Sequence, residues 1–153
     1  MNLYLVQHAA AFTKEQYADR PLTEQGCFDA QKTAKAIEPL KIPVHAVWHS
    51  GKTRALQTAK IFHAAVKSQT PLQIHDGLSP NDDPKPVVKE IKKLNKDILI
   101  VGHLPFLSRL AALLLTGDAD TEPVAFQKAG IVCLRQNPEE TWQLAWILTP
   151  EIL

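Results

Sequence analysis

Cysteine is nearly absent from this 153-residue chain. Cys27 and Cys133 are the only two, too few for the disulfide framework of a small secreted domain and without metal-ligand spacing, so both are read as reduced thiols. Charge of one sign is missing as well. Against 16 acidic residues stand 17 basic ones, a formal charge of +1, which offers no global field to hold nucleic acid or an anionic membrane. Any anion site must therefore be local. No apolar run approaches the roughly 20 residues of a membrane span, and Met1 to Val6 is too short and uncharged for a signal peptide. The expectation is a soluble, cytoplasmic protein. Repeats, low-complexity stretches and an interdomain linker are also lacking, although 11 prolines punctuate the loops. A chain of this size buries about two-thirds of its unfolded surface, so residues 1–153 are expected to form a single domain.

What is present alternates strand-like and helix-like segments. Asn2 to Val6 is a short apolar run, read as a buried strand ending at Gln7-His8. Thr23 is placed as the N-cap of a helix whose Cys27, Ala30, Ala34 and Ile37 recur at helical spacing, with Pro39 as its stop. Val44 to Trp48 predicts a strand, and Ser50 the cap of a helix with Ala55, Ala59, Phe62 and Val66 on one face. Leu72 to Ile74 predicts a third strand, Gly77 to Pro86 a loop, and Val87 to Leu94 a lysine-bearing helix. Asp97 to Gly102 has the continuous apolar character of a central strand buried on both faces. Phe106 to Leu115 reads as a helix sunk against the sheet, and Ile131 to Arg135 and Trp142 to Leu148 as closing strands. Such alternation predicts an α/β sandwich with a largely parallel sheet.

In an open α/β sheet the strand carboxyl ends meet along one crevice. His8, the segment from Ser50 to Thr58, and His103 each lie just past a strand-like run, so two histidines and Arg54 are expected to converge there. Phosphoryl transfer needs a nucleophile in line with the leaving group and fixed donors around the phosphoryl oxygens. His8 offers a neutral imidazole that can form a covalent phosphohistidine. Arg54 offers a planar fork, in a first helical turn whose free N–H groups add to it. His103 offers a donor, with Gly102 permitting close approach of backbone. Gly51-Lys52-Thr53 is not a nucleotide loop, because the Walker pattern requires glycine where Ala46 stands. Lys52 reads as a solvated lysine. His45, His49, His63 and His75 show no metal-ligand pairing, so neither metal nor cofactor is expected. Trp48, Trp142 and Trp146 are spaced as core residues rather than as a stacking platform, and no nucleic-acid partner is expected.

His8, Arg54 in Ser-x-x-x-Arg-Ala-x-Gln-Thr, His103 in Gly-His-Leu-Pro, and Arg20-Pro21-Leu22-Thr23-Glu24-x-Gly26 together resemble the histidine phosphatase superfamily, the phosphoglycerate mutase-like fold, and within it the SixA-type phosphohistidine phosphatases. The resemblance spans nearly the whole chain. It implies a three-layer α/β/α sandwich without a large cap insertion, His8, Arg54 and His103 as catalytic residues, and Gln7, Arg54 and Arg20 as phosphate-binding residues. Its implied substrate is phosphohistidine on a signalling or phosphotransfer protein, with a small phosphate ester or a silent phosphoprotein-binding role as alternatives. Phosphomutase-like relatives carry a glutamate as general acid that this branch lacks, and Asp82 and Asp83 read mainly as turn residues. One motif departs from the family's Arg-His-Gly, with Gln7 for the arginine and Ala9 for the glycine. A hydrogen bond to a charged group is worth about 1.5–3 kcal/mol, so the departure predicts a ten- to hundred-fold loss of transition-state binding unless Lys52 or Arg20 compensates.

Overall fold

The computed structural model describes residues 1–153. Along the chain run β1 (Asn2–Gln7), α1 (Glu24–Ile37), β2 (Pro43–Val44), β3 (Ala46–His49), α2 (Thr53–Ala65), β4 (Lys67–Ser68), β5 (Gln73–Ile74), α3 (Lys85–Leu94), β6 (Ile98–Gly102), α4 (Phe106–Thr116), β7 (Ile131–Gln136) and β8 (Trp142–Leu148). The main sheet has the order β5-β3-β6-β1-β7-β8. Its first four strands are parallel, and β7 and β8 close it with antiparallel pairings.

Alternation along the strands divides the apolar residues between two cores. Tyr4, Val6, Val47, Leu99, Val101 and Cys133 pack on one face with α1 and α2, through Ala30, Ala34, Ala59 and Phe62. Leu3, Leu5, Trp48, Ile98 and Ile100 pack on the other with α3 and α4, through Val87, Ile91, Leu107 and Leu110. Helices thus cover both faces of the mostly parallel sheet, as the alternation of elements predicts. No helix is long and apolar enough to cross a membrane.

Several local expectations are corrected. The strand expected over Val44 to Trp48 is broken at His45, and Pro43–Val44 pairs instead with Lys67–Ser68 in a separate two-stranded sheet. Ser50 does not cap α2. Its place is taken by Lys52, without a side-chain bond, because the Ser50 hydroxyl is engaged elsewhere. Val66 lies just beyond α2. The helix expected from Val87 starts earlier, at Lys85, with Pro86 in its first turn, where a missing N–H costs nothing. Thr23 caps α1 as expected, accepting from the Gly26 N–H at 3.0 Å.

Candidate active site

Strand register brings the two histidines together. Gln7 pairs with Gly102 across the parallel β1–β6 ladder, so His8 and His103 emerge side by side one residue later. Their ring centroids are 5.1 Å apart, and the His8 N–H continues the ladder by donating to the Gly102 carbonyl at 3.0 Å. On the other side of β6, His49 pairs with Val101, which sets Ser50 level with Gly102. Beyond β1 the chain turns to α1 on one face, and beyond β6 to α4 on the opposite face. His8 and His103 therefore stand at a topological switch point, where an open α/β sheet leaves a crevice.

A hydrogen bond fixes the tautomer of His8. His8 Nδ1 lies 2.8 Å from the Ala9 carbonyl, which can only accept, so Nδ1 carries the proton and Nε2 keeps its lone pair. Burial drives the His8 pKa down to about 4; the Ala9 bond opposes this, and the Arg54, Lys128 and Arg20 charges reinforce it. His103 is more deeply buried and is held at about 3, by burial first and then by His8, Arg54, Lys52 and Arg20. Both rings are neutral at pH 7. Ser50 Oγ lies 2.6 Å from His103 Nε2 and accepts from the Lys52 N–H at 3.4 Å. In the tautomer in which Ser50 donates to Nε2, the His103 proton sits on Nδ1, which is buried without a partner.

Arg54 is the second residue of α2, where the positive end of the helix disfavours a cation unless an anion is bound nearby. Burial and neighbouring Arg20 lower its pKa, and its Nε is buried without an acceptor. Arg20 is held by its Nε bond to the Phe12 carbonyl at 3.0 Å. Gln57 and Thr58, three and four residues after Arg54, share its side of the helix and fasten the surrounding loops. Gln57 Oε1 accepts from the Leu22 N–H at 2.7 Å; Thr58 Oγ1 accepts from the Ala9 N–H at 3.0 Å and donates to the Arg54 carbonyl at 2.8 Å. Sequence alone does not assign Ser50, Gln57, Thr58 or Lys128 to the site. The Ser-x-x-x-Arg-Ala-x-Gln-Thr motif carries the signal for the first three.

Gln7 is buried beside these groups, its Oε1 without a donor. Three of the four buried side-chain atoms that lack partners thus belong to Gln7, Arg54 and His103. The only carboxylate within ion-pair distance of a basic side chain is that of Glu90, 2.9 Å from His75 Nε2, so Arg20, Lys52, Arg54 and Lys128 have no acidic partner. No carboxylate is among the charges that act on His8 or His103. Asp82 and Asp83 accept from the backbone N–H groups of Ser79 and Lys85 at 2.9 and 3.0 Å, as turn residues do. A neutral imidazole lone pair ringed by unsatisfied donors and unpaired cations can bind an anion and attack it.

The sequence profile of the histidine phosphatase superfamily (branch 1) matches residues 3–80. An uncharacterized protein of Picosynechococcus is 30% identical over 144 residues, covering 90% of this chain and 86% of its own. Phosphohistidine phosphatase SixA of Escherichia coli is 23% identical over 155 residues, covering 98% of this chain and 94% of its own. The solved structure of the protein histidine phosphatase SixA complexed with tungstate superposes with a TM-score of 0.86 at 22% identity, covering 99% of each chain.

Proposed function

This chain belongs to the histidine phosphatase superfamily, and from that premise we propose that it removes the phosphoryl group from phosphohistidine on a partner protein of the histidine-containing phosphotransfer type. The observation that carries this reading is the Nε2 lone pair of His8, exposed by the Nδ1–Ala9 bond and set beside the unpartnered donors of Arg54 and His103. In the first step Nε2 attacks phosphorus and the substrate N–P bond breaks. The leaving imidazole departs neutral because its other nitrogen enters protonated. In the second step water attacks the phosphohistidine at His8, the P–Nε2 bond breaks, orthophosphate leaves with both protons of the water, and Nε2 regains its lone pair. Arg54 holds two phosphoryl oxygens with its fork, His103 Nδ1–H donates to a third, and Arg20 and Gln7 border the anion.

The absence of carboxylates from the charges acting on the two rings favours this substrate class. An alkoxide leaving from a phosphate ester needs a proton donor, whereas imidazole leaves readily without one. Similarity to phosphohistidine phosphatase SixA of Escherichia coli points the same way. A substrate panel tests the reading: kcat/KM for a phosphohistidine-bearing phosphotransfer domain is expected to exceed that for small phosphate esters by orders of magnitude. Turnover of small esters alone would make the protein a phosphomonoesterase, and binding without turnover would make it a silent phosphoprotein-binding module.

A further inference from the structure

With Gln7 at the first motif, the site lacks a guanidinium beside the nucleophile. Among the charges that act on His8 are those of Arg54, Lys128 and Arg20, in that order. Lys52 acts on His103 instead. Lys128 comes from a part of the chain that none of the motifs includes, the segment between α4 and β7. Here residues Gln127 to Gly130 form a turn closed by the Gly130 N–H on the Gln127 carbonyl at 2.9 Å. This turn is pressed against the end of β1, where the Ala129 N–H donates to the Gln7 carbonyl at 3.0 Å and Lys128 is the bridge partner of Gln7. Lys128 thus stands directly beside the position that departs from the family motif.

Two further observations concern that lysine. Ala129 is fully buried with φ +62, at the turn position where glycine is usual. An L-residue adopts this left-handed backbone only at a cost, and such strain concentrates at functional sites. The lysine is also free of acids. The cavity that Lys128 lines is separate from Gln7, His8, Arg54 and His103 and also holds Asp29 and Glu151, but these accept from the Gln25 and Gln127 amides, each at 2.8 Å, and neither forms an ion pair with Lys128. An exposed, unpaired lysine on a flexible stem, rooted at the bridge position to Gln7, can swing from that cavity toward an oxyanion held at His8.

We propose that Lys128 is a phosphoryl-binding residue of this site, its ammonium meeting the phosphoryl oxygen on the Gln7 side and supplying from position 128 the charge that position 7 does not carry. The proposal rests on the phosphatase reading above. As a point charge without a fork, Lys128 gives affinity with less geometric control than arginine would.

Vanadate binding and kcat/KM measured on the whole protein test it in a double-mutant cycle. Lys128→Ala and Lys128→Gln are expected to weaken vanadate binding by about ten- to hundred-fold, the range of a hydrogen bond to a charged group, and Lys128→Arg to retain most of it. Lys92→Ala on α3 is the surface control. In a Gln7→Arg background, Lys128→Ala should cost little, because one charge has replaced the other, and a merely structural lysine would not behave so. The His8 imidazole, followed by NMR, should titrate at higher pH in Lys128→Ala than in the parent. Vanadate affinity in Lys128→Ala and Lys128→Gln within about twofold of the parent would overturn the proposal alone. A parent protein that neither bound vanadate nor turned over any phosphorylated substrate would overturn the phosphatase reading and this inference with it.

Discussion

At His8 two influences act on one ring in opposite directions. The Ala9 carbonyl favours the protonated form, but burial and the cations nearby outweigh it and leave the pKa at about 4 rather than 6.5. Because kcat/KM reports the free enzyme, its acid limb is expected near pH 4, where His8 takes up its proton, and not near 6.5; an acid limb centred near 6.5 would mean that His8 is solvated. The same shifts bear on stability. Both histidines have native pKa values below 6.5, so between about 3 and 6.5 the unfolded chain binds more protons than the native one. Stability from this source is full above about 6.5 and is lost as pH falls through that window. A His103→Asn variant should therefore lose less Tm than the parent between pH 6.5 and 5. Not every residue of the site is legible in the sequence. His8 and His103 are, because they end apolar runs. Ser50 reads as a helix cap because that is its local signal, whereas its partner is His103, 53 residues away. Lys128 sits in an aperiodic segment, and only the turn through Ala129 and its bond to the Gln7 carbonyl place it.

Among the elements, α1 and α2 do the most to position the site. Arg54, Gln57 and Thr58 on α2 hold the chain around Ala9 and Leu22, which in turn carry His8 and Arg20. Gly26 on α1 lets that helix approach the same loop: a Cβ there would lie 2.1 Å from the Ala10 carbonyl oxygen, a contact with backbone that cannot swing aside. Gly26→Ala should therefore destabilise the protein by about 1–3 kcal/mol, a Tm loss of several degrees, and lower kcat/KM as Arg20 shifts with the loop. An unchanged Tm by calorimetry would contradict this account of α1. Elements with a strong apolar signal are legible in the sequence, β6 by its continuous apolar run and the helix capped by Thr23 by its periodicity. The β2–β4 pair is not, since two-residue strands have no period to detect and depend on tertiary pairing. α3 begins two residues earlier than its apolar pattern suggests because Pro86 is tolerated in a first turn.

For the molecule as a whole, a charge of +1 hides a local asymmetry. Four basic side chains around two neutral histidines have no acidic partners, so the site holds a positive potential that the net charge does not reveal. The sheet topology creates that concentration by sending the chain to opposite faces after β1 and β6. The alternation of elements along the chain makes this crevice legible in the sequence, whereas the clustering of unpaired cations depends on long-range packing. The central claim is that the phosphoryl group passes through His8, and covalent trapping tests it most directly. The protein is mixed with a phosphotransfer domain carrying radiolabelled phosphohistidine, quenched in alkali, and mapped by peptide. The account predicts an acid-labile, alkali-stable label on the His8 peptide that is absent from His8→Ala, together with loss of turnover in that variant. Phosphate release from the parent at an undiminished rate in His8→Ala, or an unchanged label in that variant, would contradict it.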